Sequence, residues 1–153
     1  MSRAGARIAV PGSLVDAEAL WYDPDRWPSF VDGFARVVRR DPDWPREGTL
    51  VWDSLADGRG RVVETVRRWS PREGQTAAVE DPKLRGTQEV AFRPTEGGVQ
   101  LELGLAYRLK GGNLFMKVTD LLFIRRAVRD SLRRTLVRYA RERRSDAELG
   151  VGS

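Results

Sequence analysis

Arg125 is the residue whose position in the sequence most strongly suggests chemistry. It falls within the apolar stripe of a predicted helix, and Arg129 lies on the shoulder of the same stripe. A guanidinium is always charged in proteins and is costly to bury without a partner. Arg125 is therefore expected to face water, a carboxylate or an anionic ligand. The candidate carboxylates on predicted strands are Glu64, Glu80 and Glu89.

Two interpretations of Arg125 stay open at this point. It either forms a fixed internal ion pair, or it is a polar anchor for a carboxylate, enolate or carbonyl oxygen in an apolar pocket. Tyr107 is a second group that could polarise a carbonyl. The predicted ligand-binding set combines these polar groups with apolar and aromatic residues: Arg125, Tyr107, Arg129, Leu121, Val128, Leu132, Leu103, Leu105, Val90, Phe92, Trp52 and Trp27.

No known catalytic motif accompanies this set. The sequence lacks a nucleophile motif, a phosphate-binding loop, a dinucleotide fingerprint and a metal-ligand constellation. The segment Gly58–Arg61 resembles a phosphate loop in composition, but it lacks the strand–turn–helix context and predicts a hairpin turn. Catalytic residues are therefore unassigned, and neither a cofactor nor a metal is expected.

The composition limits the possible classes of protein. With 153 residues, 41% of them hydrophobic, the chain is expected to form one domain over 1–153, ordered from about residue 4 to 144. The absence of Cys and His excludes disulfides, thiol catalysis and the commonest general base. Net charge is +5, but 22 acidic residues are interspersed, so nucleic-acid binding is not expected. No segment predicts a signal peptide or an integral membrane span, so a soluble cytoplasmic protein is expected.

The longest predicted element is a helix over Leu114–Arg144. The segment contains no Pro or Gly, and Asn113 could cap its start. It would be about 45 Å long at about 1.5 Å per residue. Glu148–Ser153 is expected to fray. At a helical spacing, one apolar stripe contains Leu114, Val118, Leu121, Leu122, Val128, Leu132, Leu136, Tyr139 and Ala140.

Shorter elements precede this helix. Ala6–Val10 predicts a strand, and Ser13 with Asp16 predicts a capped helix that ends at Trp21. A second short helix is predicted over Asp25–Val31. Turn-forming residues separate six further predicted strands: Ala35–Arg40, Thr49–Leu55, Arg61–Ser70, Gln75–Glu80, Thr87–Arg93 and Val99–Leu109. The last strand alternates most clearly, which favours an antiparallel meander with one packed face.

This order of elements resembles the START-related helix-grip superfamily, which includes plant pollen-allergen-like carriers and bacterial polyketide cyclases. Asp23–Phe30 is similar to the helix-breaking segment of many bacterial members, and Gly48-Thr49 entering a strand is similar as well. The resemblance covers about residues 4–144. It implies an α+β fold in which a curved antiparallel sheet of about seven strands wraps around the long C-terminal helix, with a cavity between them.

Three functions follow from the resemblance and from the residues. The first is a carrier or sensor for a small hydrophobic ligand such as a lipid, polyketide or isoprenoid. The second is a polyketide cyclase or aromatase, with Arg125, Arg129 or Tyr107 polarising carbonyls of a poly-β-ketone. The third is a protein-binding module that uses the basic helix face or the Phe123-Ile124 patch, and a homodimer is left open.

The aromatic residues before the sheet have two interpretations. They either seal one end of the core or gate the mouth of the cavity. The residues concerned are Trp21, Tyr22, Trp27, Phe30 and Phe34. Trp52 and Trp69, on neighbouring predicted strands, have the same two interpretations.

Overall fold

Seven antiparallel strands form a single sheet in the computed structural model of the chain, which describes residues 1–111 and 118–150. The strand order is β1-β7-β6-β5-β4-β3-β2, so the first strand pairs with the last and lies at one edge. The strands are β1 Ser2–Pro11, β2 Phe34–Arg40, β3 Thr49–Ser54, β4 Arg61–Ser70, β5 Gly74–Glu80, β6 Leu84–Thr95 and β7 Gly98–Leu109. The predicted antiparallel meander and helix-grip architecture are confirmed.

Two short helices connect β1 to β2. Helix α1 spans Leu14–Trp21, and α2 spans Trp27–Phe30 directly after a 3-10 turn over Pro24–Arg26. The Ser13 hydroxyl accepts a hydrogen bond from the Asp16 backbone N–H at 3.1 Å, which confirms the predicted cap.

The long helix α3 spans Val118–Leu149. It continues beyond the predicted end at Arg144, so the prediction of a frayed segment is wrong for Glu148 and Leu149. The predicted start at Leu114 and its cap Asn113 lie outside the described residues. None of the helices in the described residues is long and apolar enough to cross a bilayer.

One face of the sheet is packed, and we call it the inner face. The alternation predicted for β7 places Val99, Leu101, Leu103, Leu105 and Tyr107 in the core. The antiparallel register then places residues of β6 on the same face, with Val90 opposite Leu103 and Phe92 opposite Leu101. The opposite face, which we call the outer face, presents exposed side chains such as Arg85, Arg108 and Glu89.

Aromatic residues fill the space between the short helices and the inner face. The Trp21 and Phe30 rings each contact Tyr139 of α3, with centroids 5.8 and 5.4 Å apart. Trp27 packs edge-to-face on Phe34, Trp44 and Trp52. Trp21, Tyr22, Trp27, Phe30 and Phe34 are all buried, as expected if they seal the core.

Helix α3 is covered unevenly along its length. In its second part, Ser131–Leu149, the side chains of Leu136, Tyr139 and Ala140 are 0–1% exposed. In its first part, Val118–Asp130, Val118 is 71% exposed and Leu122 is 57% exposed, although both belong to the predicted stripe. The prediction that they are buried is wrong, because α3 packs chiefly along β1 and α2 and leaves these two side chains of its first turns exposed.

Candidate functional site

Arg125 is exposed, and its Nε donates a hydrogen bond to the Arg3 carbonyl oxygen of β1 at 3.0 Å. Of the three surroundings expected for Arg125, it therefore faces water, and the interpretation of a fixed internal ion pair is wrong. The first part of α3 is only loosely covered, so the side chain reaches both the edge strand and solvent. Its charge needs no carboxylate partner in such a position.

None of the three carboxylates proposed as partners of Arg125 pairs with it. Glu80 forms an ion pair with Lys110 at 2.6 Å. Glu89 is exposed on the outer face, opposite Thr76 of β5. Glu64 is buried on the inner face and accepts hydrogen bonds from two other side chains.

The remaining predicted residues of α3 lie along the flank of the core. Arg129 is exposed. Leu121, Val128 and Leu132 are half-buried, and the last two pack against the buried core. Helix α3 therefore packs the apolar side chains of Val128 and Leu132 against the core, while the guanidinium of Arg129 stays in solvent.

The predicted residues of the sheet and of α2 are all buried. Leu103, Leu105, Tyr107, Val90 and Phe92 share the inner face, and the rings of Trp52 and Trp27 are 6.4 Å apart. They form part of one continuous core.

The Tyr107 hydroxyl is buried and has no hydrogen-bond partner among the described residues. Burial raises the pKa of Tyr107, and the nearby Ser2 side chain and Arg125 charge partly oppose this effect. The fold thus brings Arg125 and Tyr107 into the same neighbourhood, at the end of the sheet beneath the first part of α3.

The clefts found over the described residues open on the surface. One of about 480 Å³ lies between β1, β7 and α3 and includes Leu103 and Arg133. Another of about 240 Å³ includes Val90 and is otherwise bordered largely by polar residues. Neither joins the apolar strip of α3 to the predicted inner-face lining, so the enclosed cavity stays a prediction.

A polar cluster surrounds the buried Glu64 on the inner face, and the sequence did not identify it as a site. We call it the Glu64 cluster: Trp52, Arg59, Glu64, Asp81 and Gln88. Glu64 is 5% exposed. Its Oε2 accepts a hydrogen bond from Trp52 Nε1 at 2.5 Å, and its Oε1 accepts one from Gln88 Nε2 at 3.3 Å. Both donors are neutral, so the buried carboxyl group is hydrogen-bonded without a direct ion pair.

Arg59 and Asp81 form the charged side of the cluster. Arg59 Nε donates to Asp81 Oδ2 at 2.7 Å, and the guanidinium lies 5.8 Å from the centroid of the Trp52 ring. The backbone N–H groups of Lys83 and Leu84 donate to Asp81 Oδ1. Arg59 Nη2 is buried without a partner among the described residues. The turn predicted at Gly58–Arg61 is present, and it also places the half-buried Arg59 at the edge of the core.

The environment of Glu64 favours its protonated form. Burial raises the pKa of Glu64, and the hydrogen bond from Trp52, the charge of Arg59 and the hydrogen bond from Gln88 only partly reverse that rise. A carboxyl group with a raised pKa is suited to exchange a proton with a ligand closer to neutral pH. The signal in the sequence was an acidic residue at an inward position of β4, between Val62 and Val66.

The comparisons with known structures identify the fold. The di-domain ARO/CYC StfQ from the steffimycin biosynthetic pathway matches 95% of this chain at 20% identity, with a TM-score of 0.75. This chain spans about half, 51%, of StfQ. TTHA0849 from Thermus thermophilus matches 90% of this chain at 17% identity, with a TM-score of 0.67 over 97% of its own length. A START superfamily protein from Mycobacterium smegmatis matches 88% of this chain and 98% of its own length at 14% identity, with a TM-score of 0.58.

No curated protein matches the sequence. A family profile does match it, over residues 1–142, which include every strand, both short helices and most of α3. The chain therefore belongs to the family described as polyketide cyclase / dehydrase and lipid transport.

Proposed function

We propose that the protein binds a small hydrophobic ligand of the lipid, polyketide or isoprenoid type between α3 and the inner face, with a ligand oxygen directed at the Glu64 cluster. Membership of the family and the helix-grip fold support hydrophobic ligand binding or cyclase/dehydrase activity. The observation on which the proposal rests is the buried Glu64 carboxyl group, which among the described residues accepts hydrogen bonds only from Trp52 and Gln88.

Stability alone does not account for this carboxyl group. Burial of an ionisable group is costly unless it is paired, and an apolar residue would fill the same position more cheaply. A further buried polar atom, Arg59 Nη2, has no partner among the described residues. Carbonyl or hydroxyl oxygens of a ligand could satisfy such groups, while its hydrocarbon part would contact the apolar lining.

Cyclase activity is the second candidate, and the raised pKa of Glu64 favours it. As a carboxylate, Glu64 would take a proton from the carbon between two carbonyls of a poly-β-ketone. The enolate carbon would then attack a second ketone carbon of the same chain and form the new carbon–carbon bond. The resulting alkoxide would take the proton back from Glu64, giving a β-hydroxy ketone and the original carboxylate.

Binding is tested first. Native mass spectrometry of the protein purified from its own host should show a bound small molecule. Tryptophan fluorescence should then report the binding of a long-chain 1,3-diketone through Trp52. Glu64→Gln should weaken this binding about tenfold, which corresponds to about 1.4 kcal/mol for one altered polar contact.

Glu89→Gln is the matched control. Glu89 lies on the outer face of β6, so its substitution should leave binding unchanged. Equal affinities for the wild type and both variants would contradict a role for the Glu64 cluster.

Hydrogen–deuterium exchange at the central carbon of a β-keto ester separates the two functions. A cyclase should accelerate this exchange and lose the acceleration in Glu64→Gln, whereas a carrier should bind the probe without accelerating it.

A further inference from the structure

Exposed apolar side chains cluster on the first turns of α3. Val118 is 71% exposed, Leu122 57% and Phe123 73%. Arg125, Arg126, Arg129 and Arg133, all exposed, lie beside them on the same helix. We call these seven residues, together with Arg3 and Arg7 of β1, the arginine surface.

The two arginines of β1, Arg3 and Arg7, lie next to arginines of α3. Arg125 Nε binds the Arg3 carbonyl oxygen, so β1 and the first part of α3 are adjacent there. Arg7 and Arg133 border the same cleft of about 480 Å³. The surface therefore extends from the edge strand across the first turns of the helix.

Three other arginines of α3 form ion pairs, whereas the exposed Arg141 and Arg144 form none among the described residues. Arg134 and Arg138 both pair with Asp32, at 3.0 and 3.2 Å, and Arg143 pairs with Asp146 at 3.8 Å. Within the described residues, no carboxylate lies within ion-pair distance of any arginine of the arginine surface.

Few acidic groups oppose this positive charge. Glu102 borders the cleft but pairs with Arg93 at 3.5 Å. Asp130 lies one helical turn from Arg126 and Arg133 and offsets part of their charge, and it also acts on Arg134. Asp120, in the first turn of α3, is another carboxylate on the same part of the helix as these arginines.

We infer that the arginine surface docks on an anionic phospholipid bilayer. Interfacial helices insert apolar side chains between lipids while neighbouring cations contact anionic headgroups, and this surface offers both groups side by side. A second copy of the chain fits less well, because an isologous contact would bring the unpaired arginines of two protomers together. The inference goes beyond the proposed function, since vesicle binding requires no ligand in the interior.

Vesicle co-sedimentation tests the inference directly. The full chain should sediment with phosphatidylserine-containing vesicles and not with pure phosphatidylcholine vesicles, and added salt should weaken the binding. Arg126→Gln combined with Arg129→Gln should reduce the partition coefficient by about thirtyfold, since each basic residue near an anionic surface contributes about a fivefold factor. The matched control is Arg141→Gln combined with Arg144→Gln, two exposed arginines in the second part of α3, which should reduce binding far less.

The apolar side chains have their own control. Leu122→Ser combined with Phe123→Ser should abolish sedimentation with anionic vesicles, whereas Val137→Ser, at a 48% exposed position of the second part, should not. All these positions are exposed, so circular dichroism should show folded variants.

Three outcomes would overturn the inference. The first is equal binding to neutral and anionic vesicles, and the second is an equal loss in both arginine variants. The third is a dimer in sedimentation velocity that Phe123→Ser dissociates, without any vesicle binding by the wild type. That result would assign the surface to a second copy of the chain.

Discussion

The two parts of α3 have the same amphipathic pattern but different surroundings. In the second part, Leu136 and Tyr139 are fully buried, and the Tyr139 hydroxyl donates to the Ala17 carbonyl oxygen of α1 at 2.6 Å. In the first part, Leu121 and Val128 are only half-buried. Periodicity therefore identifies the side of a helix that can be buried, whereas the packing of other elements decides which turns are buried.

Asp32, in the turn between α2 and β2, explains much of this difference. Its carboxylate accepts hydrogen bonds from Ser131, Arg134 and Arg138, at 2.7 to 3.2 Å. Its backbone N–H donates to the Thr135 hydroxyl at 2.9 Å. One turn thus holds the middle of α3, whereas the hydrogen bond from Arg125 Nε to the Arg3 carbonyl oxygen joins the first part to β1.

The largest expected effect is at Tyr139. Tyr139→Ala should lower the free energy of unfolding by about 3–5 kcal/mol, because it removes a fully buried aromatic ring between α1 and α2. Phe123→Ala, the exposed aromatic of the first part, should change it by less than about 0.5 kcal/mol. Urea unfolding measures both, and similar losses would mean that the two parts are equally packed.

Asp32→Asn is expected to have the next largest effect, about 1.5–3 kcal/mol at neutral pH, because it weakens charged hydrogen bonds to three side chains of α3. Burial tends to raise the pKa of Asp32, but the Arg134 and Ser131 hydrogen bonds and the two arginine charges lower it below the ordinary value. The stabilisation should thus be complete above the ordinary aspartate pKa and lost as pH falls through the lowered one. Thermal melts should show wild type and variant converging in acid. Asp43→Asn, at an exposed carboxylate paired at 3.8 Å, is the control and should show no such convergence.

Glu64→Gln should have a smaller effect of the opposite sign. The pKa of Glu64 is raised, so its contribution is most favourable below the ordinary glutamate value and declines as pH rises toward the folded value. Each pKa unit by which folding raises the value corresponds to about 1.4 kcal/mol. Because Gln does not titrate, the variant should gain stability relative to wild type as pH rises from acidic to neutral. Melts across pH measure this gain. Constant relative stability would indicate that Glu64 titrates normally and that the inner face is open to water.

The smallest expected effect is at Arg125. Arg125→Met should alter the free energy of unfolding by less than about 0.5 kcal/mol, because the side chain is exposed and makes one hydrogen bond to a backbone carbonyl. Urea unfolding would detect a larger loss, which would mean that the first part of α3 depends on its contact with β1.

The sequence was sufficient to predict elements whose signals are local. The alternation of β7, the Ser13 cap and the bounds of β4, Arg61–Ser70, all agree with the structure. Single-strand patterns also place a residue on a face, which is why Val90 and Leu103 were assigned correctly to the inner face.

Contacts that depend on register across several strands could not be predicted in this way. Trp52, Glu64 and Gln88 belong to β3, β4 and β6, and their meeting depends on three successive strand pairings. The burial of Arg125 could not be predicted for a related reason. Its angle on the helix indicates the side of α3 that can be buried, but not which turns of that side are covered by other elements. The sequence therefore predicted the fold better than the candidate site.

The pairing of β1 with β7 has a consequence for the order in which the chain folds. Val10 pairs with Val99 and Ser2 with Tyr107, so the contacts of β1 in the sheet are among the most distant along the sequence. Long-range pairings require costly loop closure and slow the folding of a domain. During synthesis, β1 must wait without its sheet partner until β7 has emerged from the ribosome. Because α3 rests on β1, we expect the docking of the long helix to be the last step of folding.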